Sequence, residues 1–352
     1  RYGLKAEPRQ SALFDPPENG TFLHFILESV AREVSEKGGF AACSDEQIRE
    51  MAGRYTEEYI HTNLQDFREK SARFVYLFRR LRATVEQVVL DTAAELRRSD
   101  FKPLDFELNF SEREGMPPIR MGEGDSALVF TGTADRVDGW EHDGKLYLRI
   151  MDYKTGKKSF SLTDVWYGMG LQMLLYLFAL SKEGEARYGL PVAEAGVLYV
   201  PARDELVKAK HRLTDEEILK DKLSSLRRSG LLLEDEEVLR AMEHGEDGLR
   251  YLPVKFNKDG SAVRDSLANA EELGLLSAYV EELLGDMARE LKRGSIAADP
   301  WYRSENEGAC VFCSYYDACH FDESRDTRRY KVTLKAPDFW AKLRERSETE
   351  CP

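Results

Sequence analysis

Apolar residues recur every three or four positions through the N-terminal part of the chain, which is the spacing of an amphipathic helix. Residues 19–36 show this spacing from Phe22 to Val30, and Asn19 stands where a helix N-cap is expected. Residues 45–98 continue the pattern and open on Ser-Asp-Glu-Gln, which is typical of a capping box. This part of the chain is therefore predicted to be helical.

The pattern changes near Pro103 to alternation with a period of two, which predicts β-strands. Residues 104–110, 127–140 and 145–156 are each expected to form a strand. The last two are separated by Glu-His-Asp-Gly, and Asp-Gly is a strong signal for a tight hairpin. We therefore expect these two strands to be antiparallel neighbours.

After the hairpin, the chain is expected to form a long helix and one more strand. The helix should run from about Leu162 to Lys182, and a buried strand should follow at 195–200, closed by Pro201. Helices, a hairpin, a helix and a strand make an α/β order in which the hairpin makes the sheet mixed. The predicted fold is a mixed sheet flanked by helices.

The chain is predicted to form one domain with three regions. Residues 1–202 would hold the N-terminal helices and the core, 203–290 a mostly helical insertion that decorates the sheet, and 291–352 a C-terminal helix, a cysteine-rich loop and a basic tail. A length of 352 residues is sufficient for a large core. Because the chain starts at Arg1 without a charged and apolar leader, we expect a fragment of a longer cytoplasmic polypeptide.

The formal net charge of −13 argues against a protein that coats nucleic acid through bulk charge. Basic runs at 79–82, 157–158, 208–212 and 328–331 are compatible with local phosphate contacts, and equally with solvated helix faces. The most apolar window, 174–180, is much shorter than the roughly 18 residues of a membrane span and predicts a buried helix. Composition therefore indicates a soluble globular protein.

The segment Ile-Met-Asp-Tyr-Lys-Thr-Gly, residues 150–156, places Asp152 and Lys154 on the same face of a strand. If the hairpin turn is tight, Asp135 on the partner strand meets Asp152 across the ladder. Neighbouring carboxylates cost free energy unless a cation lies between them, and Mg²⁺ prefers oxygen ligands. Lys154 would then orient or deprotonate a metal-bound water, or offset charge on a phosphorane-like transition state. The same pair is also compatible with a simple salt bridge.

Other polar residues become candidates for functional roles because of their order along the chain. His24 lies on the N-terminal helix, and Gln172 and Tyr176 share a helix face at i, i+4 spacing. Each is also compatible with an ordinary structural role, as are Arg136 as a salt-bridge partner and Asp138 as a turn acid. The order of all these residues around the Asp-x-Lys strand decides between the two interpretations.

That order, G-x3-H, G-x-x-D-R-x-D, D-Y-K-T-G and then Q-x3-Y, resembles the RecB branch of the PD-(D/E)xK nuclease superfamily. Segments 2–9, 230–243, 252–260 and 310–319 also look like parts of the C-terminal nuclease domain of the AddB family, which belongs to AddAB helicase-nucleases. The resemblance covers nearly the whole chain. It implies a restriction-endonuclease-like mixed sheet in which residues 1–202 hold the nuclease core.

The resemblance also implies a divalent-metal site with catalytic side chains beside it. The implied metal ligands are the side chains of His24, Asp135 and Asp152 and the backbone carbonyl of Tyr153. The implied catalytic residues are Asp135, Asp152, Lys154 as the catalytic lysine, and Gln172 and Tyr176, which would steady the site or the scissile phosphate. Because an imidazole softens an oxygen-rich site, we expect Mn²⁺ to be accepted along with Mg²⁺.

The cysteines indicate a second site. Cys310, Cys313 and Cys319 form C-x2-C-x5-C, while Cys43 and Cys351 lie alone. An odd number of cysteines in a large acidic chain does not suggest a disulfide framework, and the triplet suggests metal ligation. Zinc sites more often pair two short C-x2-4-C units.

The resemblance implies that the triplet holds a [4Fe-4S] cluster with a fourth cysteine upstream of the segment that starts at Tyr2. Since the chain begins at Arg1, we expect the intact parent to bind the cluster and this chain to bind it incompletely or not at all. Free thiols in a loosened loop are the alternative, and the adjacent His320 is a possible zinc ligand.

The expected function is metal-dependent hydrolysis of DNA by an exonuclease that works with an AddA-type helicase-nuclease partner. The resemblance implies action on the 5′-ended strand during double-strand break repair by recombination. The sequence shows no P-loop, so ATP dependence would come from elsewhere in the complex. A catalytically silent DNA-binding or scaffold module and a stand-alone CRISPR-associated-type single-strand exonuclease are the alternatives. The intact Asp-x-Lys disfavours the first, and the insertion at 203–290 disfavours the second.

Overall fold

A six-stranded mixed sheet flanked by helices forms the centre of the computed structural model. The structure describes residues 16–63, 72–111, 115–121, 127–203, 214, 217, 224–245, 248–256 and 262–350. The architecture confirms the predicted α/β class with a mixed sheet. The basic run at 208–212, Cys351 and the segment 2–9 lie outside the described residues.

The strands and helices are numbered here in chain order. The strands are β1 (Lys102–Phe110), β2 (Ile119–Met121), β3 (Leu128–Phe130), β4 (Gly132–His142), β5 (Lys145–Lys154), β6 (Val192–Pro201), β7 (Ser229–Leu233), β8 (Lys255–Phe256), β9 (Ala262–Val263), β10 (Leu267–Ala268), β11 (Trp301–Ser304), β12 (Glu307–Gly308) and β13 (Arg329–Tyr330). The α-helices are α1 (Pro16–Glu36), α2 (Asp45–Asn63), α3 (Ala72–Leu96), α4 (Leu162–Trp166), α5 (Gln172–Glu183), α6 (Glu185–Tyr188), α7 (Glu236–Met242), α8 (Ala270–Lys292), α9 (Tyr316–Cys319) and α10 (Ala336–Glu350). Short 3₁₀ turns lie at Phe40–Ala42, Arg264–Ser266 and Ala309–Phe312.

The central sheet has the strand order β1-β4-β5-β6-β7-β10. The pairs β5–β6 and β7–β10 are parallel, and the other neighbours are antiparallel. Strands β7 and β10 come from residues 203–290, so this region contributes to the central sheet as well as carrying helices. Four of the five residues of β7, 230–233, are buried, so β7 packs as an interior strand of the sheet.

The predicted hairpin is present. His142 pairs with Lys145, which leaves a two-residue turn at Asp143 and Gly144, both with positive φ. Two positive φ angles in a row are the geometry that matches the twist of the flanking strands. The strand predicted at 127–140 is interrupted, since β3 ends at Phe130 and pairs with β2 outside the central sheet.

Two predictions about helix boundaries had different outcomes. The capping box of α2 is confirmed, since the Ser44 N–H donates to Gln47 Oε1 at 2.9 Å and the Gln47 N–H donates to Ser44 Oγ at 3.3 Å. The prediction that Asn19 caps α1 is wrong, because α1 already begins at Pro16. Proline suits the first helical turn, where its missing N–H would have no intrahelical partner.

The single helix predicted from Leu162 to Lys182 is also wrong, because the chain forms α4, a break and then α5. Gly168 and Gly170 lie in the break with φ values of 76° and 69°. A left-handed backbone ends a right-handed helix, and glycine adopts it without steric cost. None of the helices in the described ranges is both long enough and apolar enough to span a bilayer.

A fully buried ion network joins α3 to the sheet. Glu95 accepts from Arg228 at 2.9 Å and from Arg136 at 3.4 Å, and it lies 3.8 Å from Arg149. Asp138 accepts from Arg136 at 3.0 Å and from Arg149 at 2.9 Å. All five side chains are buried. The network therefore fixes the spacing of β4, β5, α3 and the segment before β7.

The pKa of Glu95 reflects this environment. Burial alone would raise the pKa, but the charges of Arg228, Arg136 and Arg149 lower it from 4.5 to about 2. The cations prevail because each lies close to the carboxylate in an interior with little screening. Glu95 therefore stays ionised in the folded chain well below the pH at which it would be protonated in the unfolded chain.

Replacing Glu95 by Gln should lower the free energy of unfolding at neutral pH by about 3 kcal/mol, because Arg228 loses its buried carboxylate while Arg136 and Arg149 keep only Asp138. The depressed folded-state pKa means that the contribution of Glu95 is fully present above pH 4.5 and is lost as the pH falls toward about 2. The difference between the native chain and Glu95→Gln should therefore shrink over this range. Urea unfolding at a series of pH values measures it.

Glu86→Gln on the same helix provides the matched control. Glu86 is partly exposed, with 40% of its side chain accessible, and lies 3.4 Å from Arg49, so its loss should change the free energy of unfolding by less than about 1 kcal/mol. Equal losses for the two variants, or a difference that does not vary with pH, would contradict the assignment of Glu95 to a stabilising network.

Candidate active site

Three carboxylates from adjacent strands lie in one row across the sheet. The pairing of Arg136 with Met151 places Asp135 opposite Asp152 on the next rung of β4 and β5. The register of β1 against β4 places Glu107 opposite Asp135 on its other side. Because opposite residues share a face of the sheet, the three acids point into one space.

His24 on α1 reaches this row and contacts two of its acids. Its Nδ1 lies 2.8 Å from Glu107 Oε1, and its Nε2 lies 3.4 Å from Asp135 Oδ2. The imidazole is partly buried, with 22% of the side chain exposed. The structure therefore brings His24 and Asp135 together, as sequence reasoning expected, and adds Glu107 between α1 and the sheet.

Glu107 is the site residue that sequence reasoning missed. It lies in a segment that reads as an ordinary strand, yet its φ of 50° is in the left-handed region. That conformation is uncommon for a residue with a side chain and persists only where the surrounding structure holds it, often at functional sites. The sequence offers only two acids, Asp105 and Glu107, at polar positions of an alternating apolar pattern, and this arrangement is too common to indicate a site.

Asp135 lies in the middle of the row, where burial and neighbouring charges act on its carboxylate. Its Oδ2 accepts the Tyr153 backbone N–H at 2.8 Å. Burial raises the pKa of Asp135 to about 6, and the nearby charge of Asp152 adds to this against the opposing effect of His24. Burial lowers the pKa of His24, but the hydrogen bond to Glu107 and the charges of the acids raise it overall. The site therefore carries more negative charge than its own side chains balance.

Lys154 stands beside Asp152, at the other end of the acidic row. Its Nζ lies 2.5 Å from Asp152 Oδ2 and 5.8 Å from the ring centroid of Tyr199. The Asp152 side chain is 7% exposed and that of Lys154 29% exposed. The ammonium group is therefore held by a buried acid while it remains accessible to a ligand.

Gln172 and Tyr176 on α5 form a pair beside the start of β4. Gln172 Nε2 donates to Tyr176 Oη at 3.0 Å, and the Tyr176 ring stacks on Phe110 with 4.7 Å between centroids. A Cβ atom on Gly132 would lie 2.2 Å from Tyr176 Oη. The glycine of the G-x-x-D-R-x-D motif is thus required because the tyrosine hydroxyl occupies the place of a side chain.

The donor atoms of the site suit a divalent cation. Among the described residues, His24, Glu107 and Asp135 form the group whose potential ligand atoms all lie within 4.8 Å of one another. One imidazole nitrogen and two carboxylate oxygens match the preference of hard or borderline divalent ions. Asp152 lies outside this group and pairs with Lys154. The Tyr153 N–H binds Asp135, and the role of its carbonyl stays a prediction.

The predicted second metal site has a different character. Cys310 is half-buried, Cys313 and Cys319 are exposed, and Cys43 is buried in the core. Two thiolates on one zinc ion lie at most about 4.6 Å apart, since each Zn–S bond is about 2.3 Å. The cysteine triplet is not among the groups of potential ligand atoms that lie within 4.8 Å of one another in the described part of the chain.

Several known proteins are similar to this chain over nearly its whole length. The chain is 34% identical over 355 aligned residues to the B subunit of the ATP-dependent helicase/deoxyribonuclease of Clostridium novyi, and the alignment covers 99% of this chain and 31% of the relative. The proteins of the same description from Acetivibrio thermocellus and Clostridium acetobutylicum are 33% and 32% identical, again over 99% of this chain and 31% of theirs. The chain therefore spans about a third of the length of the curated relatives it matches.

The match to a family extends over most of the chain. The sequence model of the PD-(D/E)XK nuclease superfamily matches residues 1–320. This range includes α1 with His24, the hairpin with Asp135, Asp152 and Lys154, and α5 with Gln172. The match over this range places the chain in the PD-(D/E)XK nuclease superfamily.

Proposed function

We propose that this chain is a metal-dependent DNA exonuclease that acts within an AddAB-type helicase-nuclease complex. The observation that carries the proposal is the row of Glu107, Asp135 and Asp152 with His24 at one end and Lys154 at the other. A superfamily of nucleases matches the chain, and its relatives are named as subunits of a deoxyribonuclease. A binding module would have no need to hold three carboxylates together at an electrostatic cost.

The proposed metal ligands are His24, Asp135 and Asp152 with the Tyr153 carbonyl, and Glu107 joins them as a partner of His24. A histidine ligand commonly donates its second ring N–H to a carboxylate, which fixes the ring. The 2.8 Å contact between Nδ1 and Glu107 has this arrangement and leaves Nε2 facing Asp135. A bound Mg²⁺ or Mn²⁺ would supply Lewis-acid activation of water and of the scissile phosphate.

The remaining side chains position the reactants. Lys154, held by Asp152, orients the attacking water or offsets the negative charge that builds on the phosphate. Gln172 and Tyr176 present an amide and a hydroxyl that steady the site or the DNA strand. Tyr176 is fixed for this role by its ring stacking on Phe110 and by the space that Gly132 leaves.

The descriptions of the relatives support a proposal for the partner and the biological role. They are described as subunits of an ATP-dependent helicase/deoxyribonuclease. We infer that the partner is an AddA-type helicase-nuclease, which feeds the 5′-ended strand to this chain in the cytoplasm during double-strand break repair. The partner's motor explains how a domain with this site takes part in an ATP-dependent activity.

The cysteine triplet is proposed to provide three ligands of a [4Fe-4S] cluster. The three thiols fall within one short surface segment around Ala309–Phe312 and Tyr316–Cys319. Thiolates are the ligands that hold such clusters, and the C-x2-C-x5-C segment supplies three of them. The cluster would have a structural role, and no chemical step is assigned to it.

Lys154→Ala and Asp152→Asn should each lower the rate of cleavage of linear DNA by at least about 100-fold. Lys154→Ala removes the positive charge that offsets the charge on the phosphate, and Asp152→Asn weakens a proposed metal ligand that also holds Lys154. The rate should be measured with Mg²⁺ and with Mn²⁺ on DNA labelled at either the 5′ or the 3′ end. Mn²⁺ should support cleavage. A label at the 5′ end should be released before a label at the 3′ end, because the 5′-ended strand is the proposed substrate. Binding of the same DNA should change much less than cleavage.

Lys145→Ala is the matched control, because Lys145 is an exposed lysine at the opposite end of the same strand. It should leave the cleavage rate unchanged. Activity that survives in both site variants would refute the assigned site. Binding without cleavage by the native chain, in the presence of the helicase partner, would instead support a catalytically silent module.

Glu107→Gln should weaken the affinity for the divalent ion by about tenfold or more, because the amide orients the His24 ring less strongly than a carboxylate. Cleavage measured against Mn²⁺ concentration should show a higher half-saturation point with a near-normal maximal rate. Glu141→Gln, a change in an exposed acid of β4, should not shift the curve. A loss of maximal rate that added metal does not restore would assign Glu107 another role.

In the intact parent chain, which is expected to bind the cluster, Cys313→Ser should abolish the iron retained after anaerobic reconstitution with iron and sulfide, because the thiolate is proposed as a cluster ligand. Iron content and visible absorbance measure the outcome. Cys43→Ser should have no effect, since Cys43 is buried in the core. Equal iron content in the two variants would exclude the triplet as the cluster site.

A further inference from the structure

A small basic pocket adjoins the active site on the side away from Asp135. It has a volume of about 220 Å³ and lies between the C-terminal ends of β5 and β6 and the segment that enters β7. Its cationic side chains are Lys154, Lys158, Arg203 and Arg227. The described residues that line it include no Asp or Glu. In a chain with a net charge of −13, such a pocket is a local concentration of positive charge.

Tyr199 connects this pocket to the catalytic lysine. Tyr199 pairs with Asp152 in the β5–β6 ladder and with Ser229 in the β6–β7 ladder. The Lys158 Nζ lies 4.9 Å from the centroid of its ring, and the Lys154 Nζ lies 5.8 Å from the same centroid. Both distances are within the range of a cation–π interaction. One buried ring therefore positions both ammonium groups, and Lys154 belongs to the site and to the pocket.

The segment that carries Lys158 is anchored at both ends. Arg203 donates to the Gly156 carbonyl at 2.6 Å, and the Phe160 N–H donates to Ser229 Oγ at 2.8 Å. These bonds connect the segment after β5 to the end of β6 and to the first residue of β7. The pocket is therefore built by the same strands that position Asp152 and Lys154.

The chemistry of the lining selects a phosphate group. Four cations accompanied by the hydroxyl-bearing Ser224 and Ser225 recognise anionic oxygens. A volume of about 220 Å³ is below the roughly 300 Å³ at which pockets hold whole small molecules, so it suits one group of a longer ligand. Because Lys154 both lines the pocket and contacts Asp152, the pocket directly adjoins the active site.

We infer that this pocket binds the phosphate adjacent to the scissile phosphate on the strand being cut, with Lys158 as the residue that contacts it. The inference rests on the proposed nuclease function and assigns it a second point of contact with the DNA backbone. Two anchored phosphates would fix the direction and register of a flexible single strand, which one metal site alone leaves free to rotate.

The test uses Lys158→Gln and the matched control Lys157→Gln, which removes the same charge from the neighbouring position outside the pocket lining. Single-stranded oligonucleotides carry one neutral methylphosphonate linkage at successive positions. Lys158→Gln should reduce kcat/KM about tenfold, and in the native chain the neutral linkage should cause a similar loss at one position next to the cleavage site. In Lys158→Gln that linkage should cause no additional loss. Lys157→Gln should behave like the native chain.

A binding measurement without divalent ions separates this inference from the proposed function. Removing one phosphate contact should reduce the slope of log Kd against log salt by about 0.7 for single-stranded DNA in Lys158→Gln, but not in Lys157→Gln. This result, together with no cleavage by the native chain when Mg²⁺ or Mn²⁺ is added, would support the pocket and refute the nuclease. Identical behaviour of the two variants in both assays would overturn the pocket. A loss that depends on a terminal 5′-phosphate, or competition by inorganic phosphate alone, would overturn its assignment to an internal phosphate.

Discussion

The repulsion between carboxylates in one partly buried row is the constraint that governs this structure. The pairing register of the strands places Glu107, Asp135 and Asp152 opposite one another on β1, β4 and β5. Partial burial removes much of the water that would otherwise screen their charges. The folded chain offsets part of the charge with His24 and Lys154 at the two ends of the row. The raised pKa of Asp135 reflects its burial and the negative charge that His24 and Lys154 do not offset. A divalent cation would neutralise this remaining charge.

The opposite face of the same strands holds the sheet in the required register. Asp135 and Arg136 are neighbours, so their side chains point to opposite faces, and Arg136 enters the network of Glu95 and Asp138. Tyr153 repeats the arrangement, because its hydroxyl accepts from Arg136 at 2.6 Å while its backbone N–H donates to Asp135. On β4, Asp135 faces the site and the adjacent Arg136 faces the ion network. On β5, Asp152 faces the site and the adjacent Tyr153 contacts the network through its hydroxyl. Stability and site geometry are coupled through adjacent residues of the same strands.

The sequence predicted the parts of the site that depend on local patterns. The Asp-Gly turn set the hairpin register, and with it the meeting of Asp135 and Asp152, because a two-residue turn leaves no other pairing. The i, i+4 spacing placed Gln172 and Tyr176 together. These features extend over a few residues, so the information needed to predict them is contained within each segment.

The parts that could not be predicted depend on contacts between distant segments. Glu107 is recognisable only when α1 brings His24 against β1, and its left-handed backbone leaves no trace in an apolar pattern. Strand β7 is short and lies in a charged region, so its place beside β6 depends on the tertiary structure. The start of α1 before Asn19 likewise shows that a good capping residue does not fix a boundary when the preceding residues also favour a helix.

The same row explains why charge changes sign across the site. The row across β1, β4 and β5 consists of the acids Glu107, Asp135 and Asp152. On β6 and β7 the same row continues with Tyr199 and Ser229. The position next to Asp152 in the row is therefore an aromatic ring rather than an acid. The face of this ring attracts cations, and Lys154 and Lys158 lie within cation–π distance of it. A phosphate backbone laid along the row would therefore meet a site for a cation on one side of Asp152 and cationic side chains on the other. Asp152, which pairs with Lys154, is the residue at which these two halves meet.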